Sequence, residues 1–137
     1  GAADQHQHCA EVPVLIDSHI RAAIYSQGWH QREFQAGVSD CCQFVRAVIL
    51  HVYGRDVMES FPVYHDWQLA LRGRTLFATV CDLIGNPALD HAPGRPALLH
   101  LAGREVMGIT MSDQSAVDFP GFLYAANLRS VRHEWTL

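Results

Sequence analysis

Ser39-Asp40-Cys41-Cys42-Gln43-Phe44-Val45-Arg46-Ala47-Val48-Ile49-Leu50-His51-Val52-Tyr53-Gly54 is the stretch on which the fold turns. Within it Cys41, Phe44, Val45, Val48, Ile49 and Val52 recur at steps of three and four, which lines them up on one stripe of an amphipathic helix. Ser39 and Asp40 offer side-chain oxygens to the unpaired N–H groups at its start, and Gly54 supplies a stop. The segment is the expected central core helix, with two adjacent cysteines in its first turn.

Upstream, residues 12–27 read as another helix, with Leu15, His19, Ala22, Ala23 and Ile24 on one side and Gly28 at its end. Downstream, a short helix is expected near Trp67 to Leu71 and an amphipathic one from Thr75 to Ile84, closed by Gly85-Asn86-Pro87. The loop from Pro87 to Pro96 then separates two regimes. Ala97 to Leu101 and Glu105 to Met111 are short apolar runs joined by Ala102-Gly103-Arg104, a hairpin pattern. Further strands are expected at Ser115 to Phe119, Gly121 to Tyr124 and Ser130 to Trp135. Helices followed by an antiparallel sheet imply an α+β fold. The expected organisation is a flexible N-terminus over residues 1–11 and a single domain over 12–137.

With 137 residues and 49% hydrophobic content, the chain is long enough for one buried core. All ten basic residues are arginines, scattered singly, and the net charge is −4, so no basic stripe suggests nucleic acid as a partner. No apolar run approaches the roughly 20 residues that cross a bilayer. The first residues show no signal peptide, and the expected localisation is cytoplasmic during expression. Cys9, Cys41, Cys42 and Cys81 have neither disulfide-framework nor zinc-site spacing, so neither metal nor cofactor is expected. His6, His8 and Cys9 are read as part of a polar terminus rather than a metal site.

A cysteine in the first turn of a helix feels the positive end of the macrodipole, which favours thiolate. Cys41 is accordingly a candidate nucleophile, needing an imidazole to take its proton. The plainer reading is a pair of small buried hydrophobes. Asp40 is read as a cap, and Asp113 and Asp118 as turn residues.

The order Phe34, Gly37, Asp40-Cys41-x-x-Phe44-Val45-Arg46-Ala47, then a hairpin containing Gly108-Ile109, resembles the NlpC-type family of papain-like cell-wall peptidases. Gly54-Arg55-Asp56, the aromatic Tyr64 and the strand ending at Trp135 look more closely like phage tail-associated proteins of that fold. The resemblance implies a cysteine hydrolase acting on bacterial cell-wall peptides, or a non-catalytic tail or tail-assembly protein. Its partners would then be peptidoglycan peptide or phage tail proteins, and it would be virion-associated. It also implies that Cys41 is the nucleophile, with Asp40 and Cys42 supporting it.

Two positions depart from the family pattern. Laying Val106-Met107-Gly108-Ile109 on the family's H-V-G-I puts Val106 where the catalytic histidine belongs, and near the third polar position only Ser115 can hydrogen-bond. His100, on the neighbouring strand and roughly opposite Met107, becomes the candidate base.

Overall fold

The computed structural model describes residues 15–113, 115–119, 122–124 and 131–137. The expectations for residues 1–11, including His6, His8 and Cys9, lie outside the described residues.

The three- and four-residue spacing around the adjacent cysteines produces helix α2 (Cys41–Tyr53), following a helix α1 over residues 15–26. The Asp40 side chain accepts from the Gln43 N–H at the start of α2, and Gly54 ends it at φ 71°, a left-handed conformation that costs glycine nothing. Cys42, Phe44, Val45, Val48 and Ile49 are buried. In α1 the buried stripe is Ile20, Ala23 and Ile24 with Ile16 beside it, whereas Leu15 and His19 are exposed. The expected face was therefore rotated, because the branched pair Ile16 and Ile20, four apart, outweighs Leu15 and His19 in the contest for the core.

Two further helices follow, α3 (Trp67–Leu71), capped by Asp66, and α4 (Leu76–Ile84), capped by Thr75. The second half forms β1 (Pro96–Leu101), β2 (Arg104–Thr110), β3 (Ala116–Asp118), β4 (Phe122–Tyr124) and β5 (Val131–Glu134). All neighbours are antiparallel, in the order β4-β3-β2-β1-β5. The β1–β2 turn is the pair Ala102-Gly103, both at positive φ, which suits a two-residue hairpin.

Helix α2 covers one face of this sheet, joining Phe44, Val45, Val48 and Ile49 to Leu98, Met107, Ile109 and Val117 in one core. A smaller apolar cluster gathers Ala97, Leu99 and Ala116, with Leu101 and Val106 against it. Strand alternation separates the two sets. The fold is thus α+β, with a core helix packed on an antiparallel sheet.

Buried Glu134 pins the loop before β1, accepting from the Ala92 N–H at 2.9 Å and from Arg95 Nη1 at 3.0 Å, with His91 Nδ1 2.8 Å away. At the same end of the sheet, just past β2, Asp17 on α1 accepts from the amide and the hydroxyl of Ser112. No helix among the described residues is long and apolar enough to cross a membrane.

Candidate active site

Asp40 does more than cap α2. Fully buried, its carboxylate accepts from Gly37 N–H (2.8 Å), Gln43 N–H (2.9 Å) and the Tyr64 hydroxyl (2.5 Å). Gln43 Nε2 in turn donates to Tyr64 Oη at 3.4 Å. Gly37 sits at φ +79°, and a Cβ there would come within 1.8 Å of the Tyr64 carbonyl oxygen, so only glycine lets the loop close over Asp40. Burial and the hydrogen bond to Asp40 hold the Tyr64 phenol far above its ordinary proton affinity. The ring packs between Phe61 and Trp67 and walls one side of a cleft of about 510 Å³ that also includes Val63, His65, Leu69 and Leu83. Farther along α2, Arg46 grips Asp56 through a fork of contacts at 2.8–3.0 Å, which fixes the turn after the helix.

Cys41 occupies the first residue of α2 and is half-buried, with Cys42 fully buried beside it. Both are free thiols, as is Cys81. A hydrogen bond from the Cys42 side chain favours the Cys41 thiolate most. Burial opposes it, the Met107 backbone assists, and the charges of Asp40 and Asp118 push back. The balance leaves Cys41 below the usual thiol range, whereas donation to Cys41 and burial drive Cys42 well above it. One thiol of the pair is primed to ionise and the other to stay protonated.

The structure revises the remaining assignments. His100 stands opposite Glu105, because the two-residue turn pairs Leu98 with Met107; the expected juxtaposition of His100 and Met107 assumed a turn centred one residue later. Ser115 lies in the turn before β3, where its amide and hydroxyl both go to Asp113. It serves that turn. Val106 joins the small apolar cluster with Leu99, while Met107 joins the core under α2 and turns its backbone to Cys41. Among the described histidines, His30 stacks on Tyr25, His91 meets Glu134, and His133 lies on Phe77. None of them figures among the groups acting on Cys41.

Asp118, expected as a turn residue, is instead the last residue of a strand. It lies in β3 opposite Gly108, is 7% exposed, and its Oδ1 finds no hydrogen-bond partner among the described residues. Burial lifts its carboxyl to about 7, against the slight opposing influence of its own backbone amide. An acidic residue within an alternating apolar strand was the available signal. Among the described residues no group of three or more His, Cys, Asp or Glu could hold a metal.

Comparison with family models, curated proteins and solved structures yields no match.

Proposed function

We propose that the chain is a cysteine hydrolase with a papain-like, NlpC-type arrangement that cleaves an amide bond in bacterial cell-wall peptide. The observation that carries this reading is the free thiol of Cys41 at the first residue of α2, next to the buried Asp40 cap. In the reaction Cys41 Sγ adds to the amide carbonyl carbon, the C–N bond breaks with a proton delivered to the amine, and water hydrolyses the thioester. Backbone N–H groups at the start of α2 are suited to the developing oxyanion. The peptide substrate comes from the resemblance of the Asp40-Cys41-x-x-Phe44-Val45 segment. Purified peptidoglycan incubated with the protein should release new amino groups, and Cys41→Ser should abolish that release. Release that survives Cys41→Ser overturns the assignment of the nucleophile.

A second reading, a non-catalytic phage tail or tail-assembly protein that retains the arrangement, is favoured by one observation. No described imidazole acts on Cys41. Failure of the wild-type protein to release amino groups from any cell-wall fraction, together with its co-purification with tail particles, supports this reading instead.

A further inference from the structure

The cleft of about 510 Å³ walled by Tyr64 is built from residues 61–66, α3 with the turn after it, and α4; Cys41 is not part of its lining. Its apolar walls are mostly aliphatic, with Val63, Leu69, Leu71 and Leu83 beside the rings of Phe61 and Tyr64, and Val63 and Leu69 stand largely in solvent. Exposed apolar side chains gathered on a concavity of this size are a usual mark of ligand binding. Most polar groups of the lining are already committed. The Tyr64 hydroxyl donates to Asp40, the Thr79 hydroxyl donates to the Thr75 carbonyl, Asp66 accepts from the Leu69 N–H, and Arg74 pairs with Asp82. Of the polar side chains in the lining, only His65 and Arg72 have no hydrogen bond or ion pair among the described residues. A sugar or a peptide backbone would find few partners here, whereas a hydrocarbon chain needs none.

Arg72 marks one end of the cleft as cationic. It closes α3 at φ 53°, followed by Gly73 at φ 74°, so an arginine occupies a left-handed position that glycine fills without strain. A second hollow adjoins the cleft, sharing Leu69, Leu71, Arg72 and Arg74 with it, and its lining contains no carboxylate. The two carboxylates of the main cleft already have partners, Asp66 in the Leu69 N–H and Asp82 in Arg74. We propose that the cleft binds a small amphipathic anion, an alkyl carboxylate, with its chain along Leu69, Leu71 and Leu83 and its head on the Arg72 guanidinium. A guanidinium presents paired N–H donors that match the two oxygens of a carboxylate. The chain leaves water for an aliphatic wall, so affinity grows with each methylene until the cleft is filled. Binding of this kind calls for no chemistry at Cys41.

The test titrates decanoate into the full chain by calorimetry, with methyl NMR shifts to locate it, and with octanoate and decyltrimethylammonium as comparators, all below their micelle concentrations. Expected is one saturable decanoate site per chain, with shifts at the methyls of Val63, Leu69, Leu71 and Leu83. Decanoate should bind about 10-fold tighter than octanoate, which lacks two methylenes, and about 10-fold or more tighter than the cation of equal chain length. Arg72→Gly removes the guanidinium and relaxes the left-handed position, so thermal unfolding should hold or rise while decanoate affinity falls by about 10-fold or more. Leu69→Glu, at a position already facing solvent, should weaken decanoate in the same sense by placing a like charge on the wall. Absent or non-saturable binding, shifts confined to residues outside the cleft, equal affinity for decanoate and decyltrimethylammonium, or decanoate affinity unchanged in Arg72→Gly each overturn the proposal.

Discussion

The Tyr64 hydroxyl meets the Asp40 carboxylate at 2.5 Å, tying the wall of the cleft to the residue that caps the cysteine helix. Tyr64→Phe leaves Asp40 Oδ2 with Gly37 N–H alone and removes the acceptor for Gln43. The expected loss is about 1–2 kcal/mol in urea unfolding. An unchanged midpoint would show that the contact contributes nothing net.

Gly37→Ala is the more severe change. It combines an unfavourable positive φ with a Cβ driven into the Tyr64 carbonyl, so the loop must reopen and Asp40 loses its partners. The expected destabilisation is about 3 kcal/mol or more, read from thermal or urea unfolding.

Cys42→Ala removes the strongest influence favouring the Cys41 thiolate. Burial and the charges of Asp40 and Asp118 then prevail. Iodoacetamide should label Cys41 more slowly at neutral pH, by about 3–10-fold, and the alkylation profile should move to higher pH. Faster labelling would mean that steric access governs reactivity.

Stability should depend on pH through Asp118. Its folded-state value near 7 lies above the ordinary 3.8, so the folded protein binds this proton more tightly than the unfolded chain does. The contribution is fully present below about pH 4 and is lost as pH rises through about 7. The gap bounds the effect at about 4 kcal/mol. Asp118→Asn should therefore leave the protein more stable than wild type above pH 7, as followed by thermal unfolding across pH. A variant less stable at every pH would assign Asp118 an unseen structural bond.

Arg95→Ala should leave Glu134, itself 6% exposed, with a buried charge short of its main cationic partner. The expected cost is about 3 kcal/mol, and Arg95→Ala with Glu134→Gln should recover part of it.

Local rules carried the reading where the local signal was strong. The spacing from Phe44 to Ile49, the Asp40 cap and the Gly54 stop each act within a few residues, and each forms; the hairpin also forms, but on Ala102-Gly103 instead of the expected Ala102-Gly103-Arg104. Register and burial are long-range outcomes. His100 meets Glu105, two places short of Met107, because the turn is centred one residue earlier than expected, and every pair along the hairpin carries the same shift. Asp118 precedes Phe119-Pro120-Gly121, a run that reads as a turn. Its burial arises only when β3 docks on β2 at Gly108, ten residues earlier in the chain. Tyr64 carried an aromatic signal, but its partnership with Asp40 spans 24 residues of sequence and has no local mark.

Trp135, wholly buried just after β5, donates its indole N–H to the Gly85 carbonyl at the end of α4, and its backbone N–H bonds Pro96 at the start of β1. These partners are synthesised well before it. While a ribosome is still adding residues 102–134, the end of α4 and the outer edge of β1 wait uncovered, an open invitation to a neighbouring nascent chain. A chain stalled before Val131 would expose that edge permanently, and the ribosome's pace through this last stretch becomes a determinant of how much protein is recovered intact.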